Sequence, residues 1–244
     1  MRKAVIRELP PMDYAATEAL NTICTNLAFA GRDLKKIIFT SCIQSEGKSF
    51  MTIRIAQNMA RRGRSVCLVD ADMRRSFLVK RYGMETVGQL TGLAHYLAGQ
   101  CDLDDAIYET NLHGACVIPA GRDVSNPMAL IDSPYFSAML DELADAFDVV
   151  IVDAPPVGMV IDAAVMAKDC DGCVFVVEYN RTRRRDLAAA RRQMEQSGCK
   201  VLGSIINKVS FDTISAKKYY HKGYYKQYTH GYERYERKPE QDEK

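Results

Sequence analysis

The chain has 244 residues, of which 47% are hydrophobic and 26% charged. These proportions fit one globular α/β domain large enough to bury a sizeable core. A formal net charge of +2 gives no basis for bulk nucleic-acid binding. No run approaches the ~20 apolar residues of a membrane span, and residues 1–8 carry an acid and lack the apolar core of an export signal, so a cytoplasmic location is expected.

In chain order, a helix-like segment at 13–29 precedes the first strand candidate, Lys36–Ser41. Further strand candidates follow at 65–70, 115–119, 148–153, 173–178 and 201–207. All are short, rich in Val and Ile, and apolar almost throughout, as suits parallel strands covered on both faces. Helix-length segments lie between them at 48–62, 134–146, 162–168 and 183–197, the last stopped by Gly198. The alternation predicts an α/β fold with a doubly wound, mostly parallel sheet, in which ligands bind beyond the carboxyl ends of strands. From about Ser210 the apolar periodicity ends, which predicts a domain at 1–209 and a flexible tail at 210–244.

The eight cysteines are scattered, several inside apolar runs such as Ser65-Val-Cys67-Leu-Val69. They are expected to be reduced thiols packed as small hydrophobes. Cys170-Asp-Gly-Cys173 lacks the second ligand pair of a zinc site and is read as a strand entry.

The polar motifs fall at strand ends. Lys36–Ser41 is followed by a loop, Cys42-Ile-Gln-Ser45-Glu46-Gly47, and then by Lys48-Ser49-Phe50, which opens a helix. Backbone N–H groups at a helix start, reinforced by the helix dipole, face anions. In a loop of this order, a P-loop, the lysine reaches the β- and γ-phosphates and the serine hydroxyl binds Mg²⁺. The pattern lacks glycine at Cys42 and Ser45, so only Gly47 remains and the loop must suit non-glycine residues. Two further strands end in acids: Val66-Cys-Leu-Val-Asp70-Ala-Asp72 and Val149-Val-Ile-Val-Asp153-Ala-Pro-Pro156. Acids at such positions can converge on a metal beside the phosphates. Singly, each is equally readable as a helix cap or a turn acid.

These motifs resemble those of the bacterial protein-tyrosine kinases of capsule and exopolysaccharide synthesis, in particular the separate cytoplasmic kinase of Gram-positive systems. Ser45-Glu-Gly-Lys-Ser49 is similar to the family's first phosphate motif, Leu68-Val-Asp-Ala-Asp-Met-Arg-Arg75 to its second, and Val150-Ile-Val-Asp-Ala-Pro-Pro156 to its third. The resemblance implies a P-loop NTPase fold using ATP and Mg²⁺. Lys48, Asp70, Asp72 and Asp153 would be catalytic. Ser45, Glu46, Gly47, Lys48, Ser49 and Phe50 would line the nucleotide, with Asn207 at the adenine. Ser49, Asp70, Asp72 and Asp153 would serve the metal, and which of Asp70 and Asp72 acts as base stays open. It also implies a membrane adaptor that activates the kinase and a cognate tyrosine phosphatase. The family's ring-building helix carries Glu-x-x-Arg-x-x-Arg. Here the segment reads Glu18, Asn21, Cys24, so both arginines are missing and self-association is expected to be weaker or to use other contacts.

Seven of the thirteen tyrosines cluster at Tyr219, Tyr220, Tyr224, Tyr225, Tyr228, Tyr232 and Tyr235, among lysines and arginines. A tail of this kind can carry its hydroxyls into a neighbour's site, and each phosphate would add roughly −1.5 to −2 charge. A basic aromatic tail is also compatible with RNA or lipid head groups. The other reading of the domain is a deviant P-loop switch ATPase of the division-site or partition type. Such proteins carry a second lysine at the position that is Ile43 here. A regulatory module that binds ATP without turning it over is a third.

Overall fold

The computed structural model describes residues 1–31, 33–76 and 78–209. Residues Met1–Asn207 form one compact unit. The expected tail and its seven tyrosines lie outside the described residues.

The chain opens with β1 (Arg2–Ile6) and α1 (Tyr14–Phe29), then β2 (Lys36–Ser41), α2 (Lys48–Arg61), β3 (Val66–Asp70), α3 (Leu78–Tyr82) and β4 (Met84–Thr86). Short helices α4 (Leu93–Leu97) and α5 (Leu103–Ala106) lead to β5 (Tyr108–Thr110), β6 (Cys116–Ile118), α6 (Met128–Ile131) and α7 (Pro134–Ala146). The remainder is β7 (Val149–Asp153), α8 (Asp162–Met166), β8 (Gly172–Glu178), α9 (Arg184–Gln196) and β9 (Val201–Asn207).

The strands form one sheet in the order β4-β1-β5-β6-β3-β7-β2-β8-β9. From β6 to β9 every neighbouring pair is parallel. At the other edge β5 runs antiparallel to β6, β1 parallel to β5, and β4 antiparallel to β1. The six parallel strands are those read from the sequence. The three-strand wing is not among them: Met84-Glu-Thr86 and Tyr108-Glu-Thr110 are too short to show a period, and β1 shows only part of an alternation. The segment at 162–168 is not one helix either: α8 stops at Met166 and a 3₁₀ turn follows at Ala167–Asp169.

Alternate residues along the central strands explain why they read as unbroken apolar runs. Ile38, Cys67, Val69, Val150, Val152 and Phe175 face one hydrophobic cluster, shared with Leu93 of α4, Phe136 and Leu140 of α7, and Met194 of α9. Ile37, Phe39, Leu68, Ile151 and Val174 face the other, shared with Leu20 and Cys24 of α1, Met51 and Ile55 of α2, and Tyr82 of α3. Helices thus cover both faces, so neither face of a central strand needs polar residues. The described residues contain no helix long and apolar enough to cross a membrane. The described cysteines are free thiols, and all are buried except the half-buried Cys101.

Candidate active site

The site lies beyond the carboxyl ends of β2, β3 and β7, which are adjacent in the sheet. Helix α2 begins there, capped by Gly47 at φ 89°, with no side-chain oxygen on its first amides. A helix mouth left uncapped in this way offers several N–H groups and the positive dipole end to an anion.

A buried carboxylate shapes the loop before it. Glu46 is 1% exposed. Its Oε2 accepts hydrogen bonds from the amides of Cys42 (2.7 Å) and Ile43 (2.9 Å). Its Oε1 accepts from the amide of Glu178 (3.0 Å), at the end of β8, and from the Thr182 hydroxyl. The Glu46 carboxylate therefore holds the loop rather than a ligand. It closes by a side chain a turn for which the general motif uses a first glycine at position 42. Ser45 takes a left-handed conformation (φ 66°), a cost of about 1–2 kcal/mol for a non-glycine residue. Asn207 is equally local: its Nδ2 donates to the Glu46 carbonyl at 2.8 Å. A Cβ at position 47 would meet that Nδ2 at 2.0 Å, so Gly47 is required by both conformation and space.

Lys48 enters the first turn of α2 and points at the strand tips. Its Nζ donates to Asp153 Oδ1 at 2.5 Å, with the two side chains 7% and 4% exposed. Asp70 and Asp153 are register partners on β3 and β7. Asp70 accepts from the Ser76 hydroxyl (2.7 Å) and from the Asp72 amide (3.4 Å). Burial, and next the Asp153 charge, push the Asp70 carboxyl up to about 7, against the opposing pull of Ser76 and Lys48. Asp72 accepts from the Arg75 amide at 3.1 Å. Its carboxyl is also shifted up, chiefly by burial, with Lys48 acting the other way. The three expected acids thus surround one lysine.

Among the described residues no three acidic, histidine or cysteine side chains sit close enough to hold a metal by themselves. That matches the habit of Mg²⁺ in phosphoryl-transfer sites, which keeps waters and takes one or two carboxylates besides the nucleotide's oxygens. The donors at hand, carboxylates and the half-buried Ser49 at the start of α2, are hard oxygens suited to that ion. Phe50 is partly buried against the α1–α2 core, with the Arg54 guanidinium over its ring at 5.5 Å.

Several supporting residues act through partners that the sequence does not reveal. Arg74 binds the buried Asp162 bidentately, Nε to Oδ2 at 2.6 Å and Nη2 to Oδ1 at 3.0 Å, fixing the segment after β3 to the start of α8. Its place in the D-x-D-x-R pattern marked it, but its partner lies 88 residues away. Thr40 donates to the Pro155 carbonyl (2.8 Å) and accepts from the Val157 amide (3.1 Å), pinning the turn after Asp153. Arg75 Nη1 donates to Gln44 Oε1 at 3.1 Å, spanning from the β3 side to the phosphate loop. Gly158 admits no side chain, since a Cβ would meet the Cys42 carbonyl at 2.2 Å.

A parallel sheet with a lysine at an uncapped helix mouth and acids at neighbouring strand tips defines a P-loop nucleotide-binding enzyme. Consistent with this, residues 35–181 match a protein-family model described as an AAA domain. The chain is 41% identical over 193 residues to Tyrosine-protein kinase CpsD of Streptococcus agalactiae, covering 79% of this chain and 82% of that protein. Among solved structures it is similar to the kinase domain of Escherichia coli tyrosine kinase ETK, with a TM-score of 0.73 and 28% identity, over 80% of this chain and 78% of that one. It is also similar to the chimerical protein CapA2B2, with a TM-score of 0.74 and 26% identity, over 86% and 94% of the two chains. The chain belongs to the bacterial tyrosine-protein kinases of the capsule type, and its activity is that of a tyrosine kinase.

Proposed function

We propose that this kinase moves the γ-phosphoryl group of ATP to tyrosine hydroxyls of its own C-terminal cluster, Tyr219, Tyr220, Tyr224, Tyr225, Tyr228, Tyr232 and Tyr235, and that this modification regulates capsule or exopolysaccharide synthesis or export. The observation that carries the proposal is the buried Lys48–Asp153 pair at the mouth of α2 with Asp70 and Asp72 beside it. Lys48 leaves a carboxylate for the β- and γ-phosphates, which the first amides of α2, including that of Ser49, also face. Ser49 and the acids would hold Mg²⁺, which supplies charge neutralisation at the phosphates. Asp70 or Asp72, at the tip of β3, accepts the proton of the attacking hydroxyl. The Asn207 amide, read from the resemblance as an adenine contact, acts on the nucleotide by holding the Glu46 carbonyl and hence the loop.

A membrane adaptor activates the kinase and brings it to the inner face of the membrane, and a cognate phosphatase reverses the reaction. The similarity to the CapA2B2 chimera and to the CpsD kinase supports the adaptor part of this reading. Self-association does not use the familiar arginine helix. Asn21 is engaged with Glu18 (2.9 Å), Asn58 (3.0 Å) and Arg62 (3.0 Å). Cys24 is 3% exposed. Both positions therefore serve packing of α1 on α2.

The test is to incubate the purified chain with ATP and Mg²⁺, with and without an adaptor peptide, and to map phosphotyrosine by mass spectrometry. Phosphate on the C-terminal tyrosines, abolished by Lys48→Met, is the expected result. Release of free phosphate with every tyrosine unmodified would sink it.

A further inference from the structure

A strong charge asymmetry lies on α9. Residues 181–200 hold seven basic and two acidic side chains, although the whole chain has a formal charge of only +2. The remainder is therefore net acidic. Ala190 and Met194 are buried, with Leu187 half-buried beside them, and this fixes the inner face of the helix. The outer face carries Arg184, Arg185, Arg191 and Arg192, all exposed, with the exposed Ala188 and Ala189 between the two pairs. The pairs are seven residues apart, which is two helical turns or about 10 Å.

Little of this charge serves the helix itself. Arg183, Arg184 and Arg185 open α9 at the positive end of its dipole, where cations are unfavourable. The side chains of Arg183, Arg184 and Arg192 make no hydrogen bond or ion pair among the described residues. Arg185 pairs with Asp186 (3.5 Å) and Arg191 with Glu195 (2.8 Å), but pairs this exposed contribute little and leave the face cationic. Such a face calls for an anionic occupant. A protein partner would need an apolar centre in its interface, and α9 exposes no large apolar residue. Unpaired bases would need an aromatic side chain to stack on, and α9 has none. A layer of anionic phospholipid headgroups needs neither. It attracts basic side chains by charge alone, and the guanidinium fork matches its phosphates.

We infer that the outer face of α9, through Arg184, Arg185, Arg191 and Arg192, docks the chain directly on an anionic lipid surface. The Thr182 hydroxyl and the Glu178 amide both bind the Glu46 carboxylate, so α9 starts beside the phosphate loop. Docking on this face keeps the catalytic mouth next to the lipid. Neither the adaptor nor autophosphorylation is needed for it.

The test is co-sedimentation of the full chain with vesicles of phosphatidylcholine alone or of phosphatidylcholine mixed with phosphatidylglycerol, with no adaptor present. The chain should bind the mixed vesicles only, and binding should fall steeply as salt is raised. Arg184→Gln with Arg192→Gln should weaken it about 25-fold, at roughly fivefold per basic residue near the surface. Both side chains are exposed and unpaired, so thermal unfolding should stay near that of the parent. Arg7→Gln with Lys80→Gln removes the same charge elsewhere, beside β1 at the far wing of the sheet and on α3 over its other face. That pair should weaken binding much less. No binding to the mixed vesicles at low salt overturns the proposal. So does an equal loss in both pairs, which would make net charge the cause, or undiminished binding in the α9 pair, which would place the contact elsewhere, the basic C-terminal segment included. Polyglutamate and a duplex oligonucleotide serve as further probes. If either bound through Arg184 and Arg192 while the vesicles did not, the face would belong to that partner and the inference would fall. Because the vesicles carry no adaptor, none of these results decides whether an adaptor activates the kinase.

Discussion

At the scale of single residues, the candidate active site is built on one cation among three buried acids. Removing one member of a buried pair strands a charge and costs about 3–5 kcal/mol. Lys48→Met should therefore lower stability by about 3 kcal/mol in urea denaturation as well as abolish phosphoryl transfer. Adding Asp153→Asn should restore most of the stability and none of the activity. If the double variant were no more stable than Lys48→Met alone, the pair would not be the source of the loss. Asp70 gives a pH signature. Its carboxyl holds its proton up to about 7 in the folded chain, against 3.8 ordinarily. Between those values the folded state binds more protons than the unfolded one, so stability falls as pH rises through that window. The nucleotide-free, Mg²⁺-free chain should thus unfold at a higher temperature at pH 5.5 than at pH 8. Asp70→Asn should flatten most of that slope, and a slope of the opposite sign would contradict the charge crowding described here.

At the scale of elements, the phosphate loop was legible in its order and misleading in its chemistry. Gly47-Lys48-Ser49 after an apolar strand marks the helix mouth from sequence alone. The role of Glu46 was hidden, because its partners Glu178 and Thr182 are brought alongside only by β2–β8 pairing. Asn207 was named from the resemblance as an adenine contact, but its hydrogen bond to the Glu46 carbonyl was hidden for the same reason, since it arrives at the end of β9. Two predictions belong here. Glu46→Ala leaves the buried amide of Cys42 and the partly buried amide of Ile43 unpaired and should cost about 2–4 kcal/mol, with a matching fall in kcat/KM. Glu46→Gln, which can still accept but adds donors facing amides, should recover only part. Gly47→Ala should disrupt nucleotide binding by driving a methyl into Asn207. Gly47→Ala with Asn207→Ala should relieve the clash but keep the cost of left-handed backbone, about 1 kcal/mol, which equilibrium unfolding of the two variants compares directly.

At the scale of the molecule, the parallel half of the sheet could be read because both of its faces are covered, so each strand is a plain apolar run. The wing of β1, β4 and β5 could not: β4 and β5 have three residues each and carry almost no period, and the five-residue β1 shows only part of an alternation. The same layered burial governs the thiols. Burial pushes Cys24 and Cys116 up to about 11 and Cys42 to about 12, leaving little thiolate at neutral pH. A native-state titration with a thiol reagent should therefore show Cys101 reacting first among the described cysteines, and the buried seven only on unfolding. Rapid labelling of Cys42 or Cys67 would mean that the core opens far more often than its packing implies.

The Glu46 carboxylate ties two turns that are far apart in the chain. Loosening Thr182 withdraws an anchor from the same group that fixes positions 42 and 43, so neither turn can drift without dragging the other. Lineages of this enzyme should accordingly exchange residues at 46 and 182 in concert, and an engineer who regrafts the phosphate loop alone would import half of a mechanism.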